Sequence, residues 1–112
     1  MEENIFYADV AGWPKDVVST VLRKISAYTR ETKVRYFKIG ITNNPKRRFN
    51  QGHKYNYDEM IVIYRSESFD NVRELERELV AHNRALADNI IGGGGGRQGQ
   101  PPYFMYVVIK HR

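Results

Sequence analysis

The chain has 112 residues, a net charge of +5 and no cysteine. This length is enough for one domain, so we expect a single domain over residues 1–112. The lack of cysteine excludes a disulfide scaffold and thiolate chemistry. Neither a run of about 18 apolar residues nor a signal-peptide pattern is present, which predicts an intracellular, cytoplasmic protein without membrane contact.

The charge is unevenly distributed along the chain. Residues 15–57 contain eleven Lys or Arg and only two acidic residues, whereas residues 1–14 and 58–88 are net acidic. A basic block of this kind is typical of a protein that binds a polyanion, and nucleic acid is the expected partner. A merely solubilising surface is the other interpretation of the same block.

The first half of the chain predicts a strand, a helix, a second strand and a short helix. Ile5–Val10 is short, apolar and aromatic, which indicates a strand. Apolar residues then recur every three or four positions over residues 14–29, with a proline in the first turn, and predict an amphipathic helix. Residues 34–42 form the second predicted strand, and a short basic helix covers residues 46–51. We expect Trp13 to anchor the core at the corner between the first strand and the helix.

The second half predicts a strand, a long helix, a loop and a last strand. Residues 60–64 are a nearly continuous β-branched run, which indicates a central strand buried on both faces. An apolar stripe predicts a helix over residues 72–87. Residues 91–102 contain five consecutive glycines and predict a flexible loop, and residues 103–109 form the final strand. The order predicts a small α+β domain in which helices pack against a mixed sheet.

The sharpest local signal is the run from Lys38 to Arg48, Lys-Ile-Gly-Ile-Thr-Asn-Asn-Pro-Lys-Arg-Arg. It resembles the second half of the GIY-YIG nuclease motif, in which a Tyr-Ile-Gly strand leads into an Asn-Pro helix start and an arginine. Lys38 stands at the place of that tyrosine, and a Lys-Ile-Gly variant resembles the phage-type branch of the superfamily. Arg48 stands at the place of the arginine. The resemblance extends over residues 34–80 and includes a Gln-Gly-His step that ends at His53.

The resemblance implies a metal-dependent endonuclease that hydrolyses DNA phosphodiester bonds and is related to phages or mobile elements. It implies a catalytic site built from Tyr7, Lys38, Arg48 and Glu76. Glu76 would bind one Mg²⁺ or Mn²⁺ ion, with Glu78 in reserve, and Arg48 would hold the scissile phosphate. Tyr7 would act as the general base or position the water. Lys38 would either lower the pKa of that phenol or contact phosphate as a simple cation.

The first half of the motif, Gly-Ile-Tyr, is absent from its usual place upstream of Lys38. The best substitute is the segment around Tyr7, which makes the predicted fold GIY-YIG-like with an extra N-terminal helix between the first two strands. The other candidate is Tyr106 near the end of the chain, which would require a permuted chain order. We prefer Tyr7.

Further residues are expected to contact nucleic acid outside the catalytic centre. They are basic or aromatic side chains on the second strand, the short helix and the loop that follows. These residues are Arg35, Lys46, Arg47, His53, Lys54 and Tyr55. Because the chain has no separate DNA-reading domain, target specificity is expected to come from a homodimer, a partner protein or the glycine loop.

Two other functions remain open at this point. The first is a catalytically inert nucleic-acid-binding module of the same fold, which is favoured by the loss of the motif tyrosine at Lys38. The second is a basic protein-interaction domain whose positive face meets an acidic partner. The presence of both Arg48 and Glu76 favours the nuclease.

Overall fold

The computed structural model describes residues 4–30, 32–91 and 99–112. In chain order, the strands and α-helices are β1 (Ile5–Val10), α1 (Pro14–Thr29), β2 (Val34–Thr42), α2 (Pro45–Gln51), β3 (Glu59–Ser66), α3 (Phe69–His82) and β4 (Tyr103–His111). Short 3₁₀ turns cover His53–Tyr55 and Arg84–Asn89. Within the described ranges, no helix combines the length and the apolar character needed to cross a membrane.

The four strands form one mixed sheet in the order β1-β3-β4-β2. β1 runs parallel to β3, and β4 runs antiparallel to both of its neighbours. This architecture confirms the predicted small α+β domain, and residues 60–64 of β3 are buried as expected of an interior strand. The strand next to β2 is therefore β4, the last in the chain, and not β1.

The sheet separates two hydrophobic clusters. α1 and α3 pack on one face, where Val21 and Leu75 are fully buried. α2 packs on the other face, where Phe49 joins a smaller cluster with Val62 and Tyr106. Residues that lie opposite each other on paired strands point to the same face. The strand register can therefore be used to assign each candidate residue to a face.

Each helix begins at a recognisable local signal. α1 and α2 start with prolines, whose fixed φ suits the first turn of a helix. The Asn44 side chain accepts a hydrogen bond from the Arg47 backbone N–H at 3.0 Å, which caps α2. Ser68 caps α3 in the same way through the Asn71 backbone N–H, at 3.2 Å.

The predicted helix over residues 72–87 is wrong at its C-terminal end. α3 ends at His82, and a 3₁₀ turn follows Asn83. The Asn83 side chain accepts a hydrogen bond from the Ala85 backbone N–H at 3.2 Å and so starts this new turn. Leu86 is still buried because the turn directs it back into the core.

Trp13 is 68% exposed, so the expectation that it anchors the core is wrong. Its backbone carbonyl accepts hydrogen bonds from the N–H groups of Asp16 and Val17, while the indole stays outside. Tyr64 occupies the corner instead. Its ring is fully buried, and its hydroxyl donates to the Gly12 carbonyl at 2.6 Å.

Most of the predicted flexible glycine loop, residues 92–98, lies outside the described residues. The two ends of this segment are held in place. The Ile91 N–H donates to the Ile39 carbonyl at 2.8 Å. The Asn43 amide donates to the Gln100 carbonyl at 3.0 Å. The described residues on either side of this segment therefore lie beside β2.

Candidate functional site

Tyr106 lies on β4 directly opposite Gly40 on β2. The tyrosine ring covers the glycine, because a Cβ at position 40 would lie 2.5 Å from Cζ of the ring and would overlap with the hydroxyl. Only a residue without a side chain leaves room for this contact. The close approach of a buried tyrosine therefore explains why the motif contains a glycine here.

The Tyr106 hydroxyl connects two side chains from the segment that follows β2. His53 Nε2 lies 2.8 Å from the hydroxyl oxygen. The positive charge of the Arg48 guanidinium also acts on this hydroxyl and favours its ionised form. α2 and the adjoining 3₁₀ turn thus place an arginine and a histidine on one tyrosine.

Burial shifts the pKa values of Tyr106 and His53 in opposite directions. It raises the pKa of Tyr106 to about 12, although the Arg48 charge opposes the shift. Burial, followed by the Arg48 charge, lowers the pKa of His53 below its ordinary 6.5. At neutral pH the phenol therefore keeps its proton and the imidazole is uncharged. A neutral imidazole can accept the phenolic proton at Nε2, so the pair forms a proton donor and acceptor.

A polar groove of about 450 Å³ opens beside this cluster. Arg47 and Arg48 line it from α2, and Thr42 and Asn43 line it from the end of β2. Gly99 closes the remaining side. The planar fork of donors on a guanidinium matches the oxygens of a phosphate. The groove is therefore suited to a phosphodiester.

Lys38 lies at the edge of the sheet. Its Nζ donates to the Asp88 carbonyl at 2.9 Å. The Asn89 amide donates to the Phe37 carbonyl at 2.9 Å, and Ile90 forms a parallel bridge with β2. The segment after α3 thus runs along the outer edge of β2. The ammonium group of Lys38 points to this outer edge, whereas the Tyr106 ring lies over Gly40 on the face of β2 that packs against α2.

Glu76 lies on α3 and therefore belongs to the helix layer on the opposite face from α2. Its side chain is 18% exposed, and Oε1 lies 3.9 Å from Arg73 Nε. Burial raises the pKa of the Glu76 carboxyl, and Arg73 and Arg77 oppose this shift. Glu76 lines a groove of about 650 Å³ together with Ile90. Because Ile90 pairs with Ile39, this groove borders the edge of β2.

A single carboxylate is available here for a divalent cation. In the part of the chain that the structure describes, no three His, Cys, Asp or Glu side chains converge on one point. Mg²⁺ keeps several waters and takes one or two carboxylates together with substrate phosphates, so Glu76 fits this ion. The donor set does not fit zinc, which needs three or four protein ligands. Glu78, the reserve candidate, lies 3.9 Å from His82.

Tyr7 lies on the same face as Tyr106 but two strands away. One row across the sheet contains Tyr7, Val62, Tyr106 and Gly40. At the usual strand spacing, about 10 Å separates the Cα atoms of the two tyrosines. Tyr7 is 59% exposed. The structure therefore places Tyr106, rather than the preferred Tyr7, against Arg48, because β1 pairs in parallel with β3 and leaves the place beside β2 to β4.

The residues expected to contact nucleic acid lie mostly around α2. Lys46 and Arg47 are exposed on that helix, and His53 is half-buried against Tyr106. Tyr55 is 76% exposed, and Lys54 Nζ lies 5.4 Å from the centre of its ring. The remaining residue is Arg35, which is exposed near the start of β2.

Two residues near the site, Gly99 and Asn89, were not singled out by the sequence analysis. Gly99 has a φ of 86°, and a side chain there would collide with Asn43. Asn89 ties the segment after α3 to β2 through the hydrogen bond described above. No local sequence pattern marks either position, because the role of each depends on contact with a distant part of the chain.

The fold and the arginine-lined groove together are consistent with a nuclease-like or DNA-binding domain. The sequence profile of the T5orf172 domain matches residues 21–99, and the chain therefore belongs to this family. T5orf172 domains occur in nuclease-like proteins of phages and mobile elements. No curated protein and no solved structure gave a significant match. The matched region contains Lys38, Arg48 and Glu76, whereas β1 and β4 lie outside it.

Proposed function

We propose that this protein is a metal-dependent endonuclease that hydrolyses DNA phosphodiester bonds. The observation that carries the proposal is the cluster of Arg48, Tyr106 and His53 beside the arginine-lined groove, in which His53 hydrogen-bonds Tyr106 and the Arg48 charge acts on the same hydroxyl. A phosphate held by Arg48 in that groove would lie next to a phenol and a neutral imidazole. Membership of the T5orf172 family supports a nucleic acid as the substrate.

Each member of the cluster has a separate role in this proposal. Arg48 binds the scissile phosphate and stabilises the negative charge that grows in the transition state. Tyr106 is fully buried and positions the His53 imidazole, whose Nε2 lies 2.8 Å from the phenolic oxygen. Because its pKa is about 12, the phenol stays protonated and leaves the uncharged imidazole as the proton acceptor of the cluster.

Glu76 is the residue that would hold one Mg²⁺ or Mn²⁺ ion. Such an ion, when bound, would supply Lewis-acid stabilisation to a phosphate at the edge of β2, which the Glu76 groove borders. The half-buried carboxylate of Glu76 favours a nearby cation, because burial disfavours its negative charge and the Arg73 contact is long at 3.9 Å. Lys38 adds positive charge at the edge of β2, and Tyr7 adds a flanking contact on the α2 face. A homodimer or a partner protein supplies target specificity.

The test is cleavage of supercoiled plasmid and of branched DNA with Mg²⁺, with Mn²⁺ and with EDTA. We expect Arg48→Ala and Glu76→Ala each to reduce cleavage by about 100-fold or more. Glu76→Ala should keep its DNA affinity, because it removes a negative charge. Arg23→Ala is the matched control, since Arg23 lies on α1 on the opposite face from α2. Normal cleavage by Glu76→Ala would show that the metal assignment is wrong.

The second candidate is an inert nucleic-acid-binding module of the same fold. The observation that favours it is the lysine at the place of the motif tyrosine, with its ammonium group bound to the Asp88 carbonyl. It predicts DNA binding that weakens steeply with salt and no cleavage of any substrate by the folded protein. The plasmid assay above distinguishes the two candidates.

A further inference from the structure

Trp13 is the only tryptophan of the chain and lies at the rim of a groove separate from the two described above. The groove has a volume of about 360 Å³ and lies where β1 and β3 end and α3 begins. Its other walls are Ala11, Gly12, Arg65, Ser66, Glu67 and Asn71. Grooves that hold small molecules measure roughly 300–1,000 Å³, so this one is large enough for a nucleobase.

This groove shares an edge of the sheet with the arginine-lined groove. β1, β2 and β3 run in the same direction, so all three end at that edge. Thr42 pairs with Phe104, which in turn pairs with Arg65, so Thr42 and Arg65 point to the same face. Two strand spacings separate them by about 10 Å. One DNA strand can therefore reach both grooves.

The charges around the groove favour an uncharged base inside it and a phosphate outside it, near Arg65. Asp16 and Asp70 lie in the first turns of the two neighbouring helices and disfavour a phosphate inside the groove. Arg65 lies 3.4 Å from Glu67, and both side chains are more than half exposed. Exposed ion pairs are weak, so a phosphate can replace Glu67 as the partner of Arg65. The indole of Trp13 presents a face on which any base can stack.

We propose that the groove beside Trp13 binds an unpaired base of the same DNA strand whose phosphate occupies the arginine-lined groove. Arg65 contacts a phosphate between the two grooves. This inference rests on the proposed function and names its substrate class, which is DNA with a single-stranded segment such as an overhang, a flap or a branch. A base inside a duplex is stacked between its neighbours and is not available to an indole.

Fluorescence excited at a wavelength that tyrosine does not absorb reports on this groove alone, because Trp13 is the only tryptophan beside eight tyrosines. In EDTA, the protein is titrated with an oligothymidylate, a blunt duplex, and the same duplex with an overhang. Anisotropy of labelled DNA measures binding independently. We expect quenching of Trp13 by the oligothymidylate and by the overhang duplex, and none by the blunt duplex. DNA binding by anisotropy without any change in Trp13 fluorescence would overturn the inference.

Variants separate the base contact from the rest of the interface. Trp13→Ala should weaken binding of the overhang duplex about tenfold and leave the blunt duplex within about twofold. The main-chain carbonyl of residue 13 caps α1, so this substitution keeps the helix start. Phe6→Ala is the matched control, since Phe6 is a 53% exposed aromatic residue on β1 outside the groove. Equal affinity of Trp13→Ala and wild type for the overhang duplex would also overturn the inference. Absence of plasmid cleavage with retained quenching would instead contradict the endonuclease and leave the base-binding groove standing.

Discussion

An added methyl group at Gly40 would meet a buried aromatic ring. A Cβ there would collide with the ring of Tyr106, which is fully buried and whose hydroxyl lies 2.8 Å from His53 Nε2. We expect Gly40→Ala to lower the free energy of unfolding by about 1–3 kcal/mol, measured by urea denaturation. Gly52→Ala is the control, because its nearest neighbour would be the Arg48 carbonyl at 3.5 Å. If Gly40→Ala is as stable as wild type, Tyr106 does not lie over this glycine.

Glu76 links pH to stability through its burial. Because burial raises the pKa of this carboxyl in the folded protein, its stabilising contribution is present below the ordinary value of 4.5 and is lost as pH rises through the folded pKa. Glu76→Gln keeps the shape without the charge. We expect it to raise the Tm at about pH 7 and to leave the Tm unchanged at about pH 4.

The control for this change is Glu74→Gln on the same helix, since Glu74 is 40% exposed and pairs with Arg77 at 3.1 Å. This variant should change the Tm little at either pH. A lower Tm of Glu76→Gln at about pH 7 would mean that the contact of Glu76 with Arg73 outweighs its burial. A higher Tm combined with lost cleavage would be typical of a carboxylate retained for function at the expense of stability.

At the scale of elements, α2 is the short helix that carries the proposed phosphate contact. Its N-terminus depends on Asn44, whose side chain accepts from the Arg47 N–H. Asn44→Ala and Ser68→Ala each remove one side-chain cap, and each should lower the free energy of unfolding by about 0.5–2 kcal/mol. Asn44→Ala should also weaken binding of a blunt duplex, whereas Ser68→Ala should not, because α2 carries Arg48 and a blunt duplex offers no base to the groove beside Trp13. Equal effects of both variants on the affinity for a blunt duplex would contradict the assignment of the phosphate contact to α2.

Local signals predicted most of the elements but not all of their ends. The prolines and Asn44 mark the starts of α1 and α2, and the β-branched run marks β3. The end of α3 was missed because Leu86 continues the apolar stripe while Asn83 interrupts the helix. Both signals were present in the sequence. Their relative strength depended on how the segment after α3 packs along β2.

The sheet divides the basic block of residues 15–57 between two sides of the molecule. Its bases on α1 lie on one face and those on α2 on the other. The block is therefore not one continuous surface. We expect Arg47→Ala to lower the slope of log K against log salt for DNA binding by about one, and Arg23→Ala to leave the slope unchanged. An equal loss of slope in both variants would indicate that both faces contact DNA.

The sequence by itself determined the α+β class, the elements, the glycine of the motif and the placement of Arg48 on a short helix after a strand. These features depend on periodicity, caps and spacing, which act over a few neighbouring residues. Only the tertiary structure decided that Tyr106 rather than Tyr7 meets Arg48, and that Trp13 lies outside the core. The physical reason is that strand pairing joins segments more than sixty residues apart, such as Gly40 and Tyr106. Their partnership depends on burial and register across the whole sheet, which local signals do not contain.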